Sequence, residues 1–346
     1  MSIGARPEPS GRKHTKCTAT PRPLLPWLLA GLPLIVGCPG PPHFGPPGRP
    51  LERAGDEIVV CGQLFHTGAP VVLWLDPGGY DAYRAHCRFD PQRWEPTRPV
   101  SSAPVRYGSF RRHLPDDLPR QVVEEGWTVE RLARCVDLFV YHYDACGTSR
   151  RCFRVLHDIR GLSVHFMLDV DGTIYQTLDV KERAWHAGQA NDRSVGVEIA
   201  NIGAYAELAR LEQWYARDED GRWRLSFPDD FADAGWRTPD FVPRPARNEP
   251  IRGEINGRRL VQFDLTDAQY ESLIKLTAAL CRVLPGITPD YPRDADGRLL
   301  TRAMSADELA AYRGLLGHYH VTTRKVDPGP AFDWERVVAG VRRELN

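Results

Sequence analysis

Three short stretches of this 346-residue chain concentrate side chains able to do chemistry. The first is Tyr141-His142, at the end of an apolar run. The second is Trp185-His186-Ala187-Gly188, followed by Asn191-Asp192 and Glu198. The third is Gly317-His318-Tyr319-His320, followed by Lys325-Val326-Asp327-Pro328-Gly329-Pro330. A hydrolytic zinc site needs three ligands drawn from imidazole, thiolate or carboxylate, with one position left open for water. It also needs a base for that water and a cation or donor for the oxyanion that develops. His142, His318 and Asp327 could supply the ligands, Glu198 the base and Lys325 the cation. No two of these ligands have the HExxH spacing, so this is not a zincin site carried on one helix. No G-x-S-x-G elbow occurs, which leaves a serine hydrolase without support.

The elements that must position these groups alternate between strand and helix. Val136–Tyr141 reads as a buried strand that delivers His142 at its carboxyl end, where α/β proteins hold ligands. A helix is expected around Arg150–Ile159. Val164–Asp169 and Thr173–Leu178 read as a hairpin about the Asp171-Gly172 turn, and Ser194–Ile199 as another buried strand carrying Glu198. Thr266-Asp267-Ala268-Gln269 is a capping box that opens a helix with Tyr270, Leu273, Ile274, Thr277, Leu280, Cys281 and Leu284 at helical spacing. Ser305-Ala306-Asp307-Glu308 opens another, running toward Leu315. Trp334, Val337, Val338, Val341 and Leu345 mark a terminal helix. The expected fold class is α/β, a mixed central β-sheet flanked by helices.

The motifs, taken together, resemble the type 2 N-acetylmuramoyl-L-alanine amidases, a superfamily that also holds phage amidases and animal peptidoglycan recognition proteins. The resemblance runs from about Val136 to Asn201 and from about Leu315 to Trp334, with its motifs in family order. It implies a zinc enzyme that hydrolyses the amide between N-acetylmuramic acid and L-alanine in peptidoglycan or muropeptides. Position by position, His142 and His318 resemble the first two zinc ligands, and Asp327 matches the third, which is Asp in the bacterial branch. Glu198 and Lys325 match the catalytic glutamate and lysine of that branch. Val164 stands where phage and animal enzymes carry a catalytic tyrosine, which throws the base role onto Glu198. The gap from His318 to Lys325 is one residue shorter than the bacterial pattern. His320 is therefore an alternative ligand, although Gly317 directly before His318 favours His318. Trp185, His186 and Asn191 are assigned to substrate binding, with packing beneath the site as the alternative for His186 together with Trp185. His165 is read as core packing. Cys146 and Cys152 share the C-x5-C spacing of a disulfide in the animal branch. Two rival readings stay open: a recognition protein that binds peptidoglycan without cutting, and a zinc hydrolase of another peptidoglycan amide.

The amino terminus adds an address. Arg6, Arg12, Lys13, Lys16 and Arg22 precede the apolar run Leu24–Val36, and Ile35-Val36-Gly37-Cys38 resembles a bacterial lipobox. The run is too short and too proline-rich for a membrane span, which needs about 20 apolar residues. The expectation is a lipoprotein signal over residues 1–37, lipidation at Cys38, export, and a membrane anchor facing the periplasm. Residues 38–57 read as a Pro/Gly-rich tether, 58–130 as a β-containing extension, and 131–346 as the amidase domain with an insertion at about 203–260. Export leaves Cys61, Cys87, Cys135, Cys146, Cys152 and Cys281 in an oxidising compartment, where an even set favours disulfides. Cys146 and Cys152, flanking a turn-capable stretch, are the expected pair. Basic and acidic side chains number 45 each; that balance, with no basic stripe beyond the amino terminus, excludes a nucleic-acid partner on electrostatic grounds.

Overall fold

The computed structural model describes residues 45–84, 107–108, 110–228 and 235–346. The signal segment, residues 38–44 of the tether with Cys38, and Cys87 lie outside the described residues. Residues 45–51 belong to an amino-terminal unit and are exposed around a turn; Glu52–Asn346 form a second unit that holds all the chemistry described below.

A six-stranded sheet organises that unit, in the order Gly314–Gly317, Leu138–Tyr143, Ser194–Ile199, Phe166–Leu168, Ile174–Gln176, Val71–Leu73. Every neighbouring pair is parallel except Phe166–Leu168 with Ile174–Gln176, the hairpin expected from its Asp-Gly turn. The sheet is buried on both faces. Phe139, Tyr141, Val195, Val197 and Ile199 pack against Tyr270, Leu273, Leu276 and Leu280 of the helix Asp267–Val283, and against Trp334, Val337 and Val341 of Trp334–Leu345. Leu138, Val140 and Leu316 face the other way, toward Ala187, Ala190 and Leu309. Burial on both faces is why these strands read as continuous apolar runs rather than alternating ones.

The capping boxes sit where the sequence places them: Thr266 Oγ1 accepts from the Gln269 N–H, and the Gln269 side chain accepts from the Thr266 N–H. The helix opened by Ser305, however, ends at Ala311 rather than Leu315. Leu315 and Leu316 instead pair in parallel with Phe139 and Val140; joining the sheet buries both leucines completely. The helix after Thr148 begins as an α-helix over Ser149–Phe153 and continues as a π-turn over Arg154–Arg160.

Two stretches outside the expected core turn out to belong to it. Val71–Leu73, from the presumed extension, is the edge strand of the central sheet. Arg111, also from that stretch, is buried and donates to the carbonyls of Val180, Glu182, Asn191 and Ser194. The insertion holds two hairpins, Tyr215–Arg217 with Trp223–Leu225 and Ile251–Ile255 with Arg258–Gln262. Its aromatics make a small core of their own, Tyr215 stacking on Phe263 at 4.0 Å between ring centroids. The second hairpin turns at Asn256-Gly257, both at positive φ (49° and 72°), the backbone that a two-residue hairpin loop demands.

Candidate metal centre and cleft

Strand register assembles the site. His142 is paired across the sheet with Glu198, one strand over. On the other side Tyr141 is paired with Gly317, so His318, the next residue, emerges beside His142. Three chemically active side chains, scattered along the sequence, therefore meet at the carboxyl ends of adjacent parallel strands. Asp327 joins them from the loop after the short helix His318–Val321.

His142 Nδ1 lies 2.9 Å from Asp327 Oδ2, and His318 Nδ1 lies 3.1 Å from the same oxygen. All three donor atoms fall within 4.8 Å of one another, and all three residues are buried. Tetrahedral bonds of zinc length would set donors about 3.3 Å apart, so the cluster already has the dimensions of such a site. Burial, reinforced by the neighbouring His318, pushes His142 down to about 4, which keeps its imidazole neutral as a ligand must be. Burial works to raise the Asp327 carboxyl, but hydrogen bonds from the two imidazoles win and hold it well below the usual carboxylate range. Two imidazole nitrogens and one ionised carboxylate make a donor set suited to zinc.

His320 stands apart from the cluster. Its Nδ1 accepts from the Gly317 N–H at 2.9 Å and its Nε2–H donates to the Leu300 carbonyl at 2.7 Å. Both nitrogens are committed to backbone, whereas His318 turns toward His142.

Glu198 faces a cleft of about 280 Å3 shared with Asp327, Lys325, Asp144 and Cys152. Burial first, then the charges of Asp327 and Asp144, raise its carboxyl well above the ordinary value, with Lys325 opposing. Its carboxyl, facing the cleft beside Asp327, is placed to exchange a proton with a group bound there. Lys325 is exposed on the cleft rim.

Trp185, His186 and Asn191 do not line this cleft. His186 stands behind His142: its Nδ1 is 3.0 Å from His142 Nε2 and its Nε2 is 3.2 Å from Ser194 Oγ. Asn191 is buried, its side-chain oxygen accepting from the His186 and Ala187 N–H groups. Trp185 is half-buried beneath the Arg183 guanidinium. His186 thus contacts His142 directly and Asn191 holds His186 in turn, whereas Trp185 packs against Arg183. His165 is buried, as its place beside the hairpin strand implies, and both ring nitrogens meet backbone groups of Gly196 and Glu182. The expected disulfide is absent. Cys146 and Cys152 are free thiols, buried and in hydrogen-bond contact, whereas a disulfide would bring the sulfurs to about 2.05 Å. Asp144 Oδ1 accepts from the Cys146 and Gly147 N–H groups and so fixes the loop that presents Cys146.

Residues that sequence spacing does not single out also shape the site. Asn256, at the tip of the insertion hairpin, donates to the carbonyls of Tyr319, Thr322 and Lys325. Gln262 donates to the Pro328 carbonyl and accepts from the Ala331 N–H. The loop carrying Lys325 and Asp327 is thus held from the insertion.

The family described as N-acetylmuramoyl-L-alanine amidase matches residues 132–330, more than half of the chain. The chain is 26% identical over 191 residues to the 1,6-anhydro-N-acetylmuramyl-L-alanine amidase AmpD of Haemophilus influenzae, covering 55% of this chain and 64% of that one. The protein of the same name from Salmonella typhimurium is 27% identical over 176 residues, covering 51% and 54%. The chain thus spans between half and two thirds of the length of these relatives. A solved structure of the E. coli amidase AmiD, in complex with the substrate anhydro-N-acetylmuramic acid-L-Ala-D-gamma-Glu-L-Lys, is 18% identical, covers 59% of this chain and 57% of that one, and has a TM-score of 0.32.

Proposed function

The chain belongs to the N-acetylmuramoyl-L-alanine amidase family, and on that premise we propose that it is a zinc-dependent hydrolase of the amide joining N-acetylmuramic acid to L-alanine in peptidoglycan or its fragments. The observation that carries the reading is the convergence of His142 Nδ1, His318 Nδ1 and Asp327 Oδ2 beside a cleft that also holds Glu198. His142, His318 and Asp327 would hold the ion. A zinc ion there supplies Lewis acidity to the amide carbonyl and acidifies water.

The protein's own groups do the rest. With His142 Nδ1 given to the metal, its Nε2–H donates to His186 Nδ1, and the His186 Nε2–H donates to Ser194 Oγ, which fixes the tautomer and ring plane of the ligand. Glu198 takes the proton from the attacking water and returns it to the departing alanine nitrogen. Lys325, on the rim, meets the oxyanion of the tetrahedral intermediate.

Export and anchoring through a lipid at Cys38 form part of the same proposal and rest on the amino-terminal sequence. Such an anchor would hold the catalytic unit near the wall and raise its effective concentration there.

The test is mass spectrometry of purified muropeptides incubated with the protein, with and without a chelator. Free peptide beginning at L-Ala, lost with chelator and restored by zinc, is the expected result. Saturable binding of muropeptide and zinc without any cleavage would leave a recognition protein instead.

A further inference from the structure

A buried guanidinium stands behind the metal centre without touching it. Arg111 is 2% exposed and precedes the residues matched to the amidase family, which begin at 132. Burial lowers it only to about 10, so it keeps its charge at neutral pH. Its bonding has one target. Nη1 donates to the carbonyls of Asn191, Asp192 and Ser194 at 3.1, 3.4 and 3.0 Å, and Nη2 to those of Val180 and Glu182, both at 2.8 Å. Five carbonyls from residues 180–194 thus turn inward onto a single side chain. Arginine offers five donors in one rigid plane to meet them, whereas a lysine has three about a point.

The same stretch holds His186. Asn191, whose carbonyl meets Nη1, accepts from the His186 and Ala187 N–H groups through its side-chain oxygen, at 3.1 and 2.6 Å. Ser194, whose carbonyl meets the same nitrogen, places its hydroxyl 3.2 Å from His186 Nε2. Glu182, whose carbonyl meets Nη2, also accepts from His165 Nε2 at 2.9 Å, and the His165 ring stands edge-on to His186 at 5.9 Å between centroids. Three groups around His186 are therefore each tied through backbone to Arg111. His186 Nδ1 in turn lies 3.0 Å from His142 Nε2. The segment carrying Arg111 is stitched to the stretch twice more: Tyr107–Gly108 pairs with Arg183–Ala184, and the Arg112 N–H donates to Asp192 Oδ1.

We propose that Arg111 is a positioning residue of the metal centre: by clamping the carbonyls of Asn191 and Ser194 it sets where the His186 imidazole stands, and through it the ring plane of His142. This rests on the reading of His142 as a metal ligand. The outer partners of a ligand govern its orientation, and Arg111 acts one link further out. A side chain outside the residues matched to the family thereby governs metal affinity.

The experiment uses the full chain with Arg111→Lys, which keeps the charge and loses the fork, and Arg111→Gln, which loses both. Zinc affinity is read by competition with a chromogenic chelator, on protein shown by circular dichroism to be folded. It should fall roughly tenfold in Arg111→Gln, the lower end of the loss when an outer partner is removed, and by less in Arg111→Lys. In a His186→Ala background nothing is left to position, so Arg111→Gln should cost less than about twofold more. Should Arg111→Gln not fold, Arg111→Lys and a second readout decide. That readout is hydrogen exchange at the imidazole N–H of His186 in the metal-free protein, measured by nitrogen-15 NMR. The His320 N–H is the reference, since its ring is held by Gly317 and Leu300, outside the clamped stretch. Arg111→Lys should speed exchange at His186 roughly tenfold and leave His320 unchanged, whereas a general loss of stability speeds both. Unchanged zinc affinity in both variants, an equal loss in the His186→Ala background, or equal acceleration at the two histidines would overturn the assignment. If the protein binds zinc but cuts no muropeptide, the amidase reading fails and the Arg111 result stands. If the wild type binds no zinc, the metal reading fails, and the exchange readout alone decides whether Arg111 positions His186.

Discussion

Gly196→Ala tests whether the metal ligands depend on the groups behind them. Gly196 lies on the strand that carries Glu198, and a methyl group there would sit 2.5 Å from both Cε1 and Nδ1 of His186. Carbon contacts are normally about 3.5–4.0 Å, so the imidazole must retreat by about 1 Å. That displacement breaks the 3.0 Å contact to His142 Nε2 and the 3.2 Å contact to Ser194 Oγ, since hydrogen bonds fail beyond about 3.5 Å. Losing such an outer partner lowers metal affinity roughly 10- to 100-fold, about 1.4–2.7 kcal/mol. Overpacking adds its own cost to folding, about 1–3 kcal/mol. The assay is competition for zinc against a chromogenic chelator, on protein shown by circular dichroism to be folded. A double-mutant cycle separates the two effects. In a His186→Ala background the new methyl group enters vacated space, so Gly196→Ala should cost almost no further affinity. Wild-type affinity in Gly196→Ala, or an equal loss in both backgrounds, refutes the reasoning.

Four further outcomes follow from the same geometry. Glu198→Gln should lower kcat by about 10²–10⁴-fold while calorimetry finds zinc binding retained; retained turnover would remove Glu198 from proton transfer. Zinc at a thousandfold excess over its Kd should stabilise the protein by about 4 kcal/mol, a rise in melting temperature on the order of 5–10 °C. Asp327→Ala should abolish that rise, and the same rise in the variant would place the ion elsewhere. Asn256→Ala releases the carbonyls of Tyr319, Thr322 and Lys325, so kcat should fall roughly tenfold through Lys325 with KM little changed; a change confined to KM would contradict this. Burial, helped by the positive charge of Arg111, depresses His165 from 6.5 to about 3. Its contribution to stability is therefore complete above pH 6.5 and is lost as pH falls toward 3. At about pH 4.5 the loss is about 3 kcal/mol, read by urea unfolding, and His165→Gln should show a smaller acid loss than the wild type.

Much of the site is legible because its members end recognisable elements. His142 closes an apolar run and Glu198 sits in another. A parallel sheet buried on both faces writes itself into sequence as such runs, and the carboxyl ends of its strands are where ligands gather. His318 and His320 are two residues apart and chemically identical, so spacing alone could not choose between them; in the fold His318 Nδ1 turns to Asp327 while both His320 nitrogens are held by backbone groups. His186 and Asn191 carry polar side chains next to a tryptophan, a composition equally suited to contacting a sugar or to bracing a neighbouring ligand. Only the approach of His186 to His142 separates the two. The helix expected to run to Leu315 stops early for a related reason: local periodicity favours continuation, and pairing with Phe139 and Val140 outweighs it.

The insertion is the harder case, because its contribution lies wholly in long-range contacts. Its Asn256-Gly257 pair is a strong local hairpin signal, yet nothing in that signal says what the hairpin is for. Asn256 donates to carbonyls more than sixty positions away, and Gln262 does the same to Pro328. A methyl group at Gly329 would overlap Gln262 Oε1 at 2.0 Å, so the loop after Asp327 can lie against Gln262 only because glycine stands there. Asp327 and Lys325 both ride on this loop. A metal ligand on a free loop must be ordered at the moment of binding, and fixing each residue's backbone costs about 1–2 kcal/mol. The hairpin bears that ordering in advance. Shortening the insertion should therefore weaken zinc affinity and turnover together, even though none of its described residues belongs to the donor cluster or to the cleft wall.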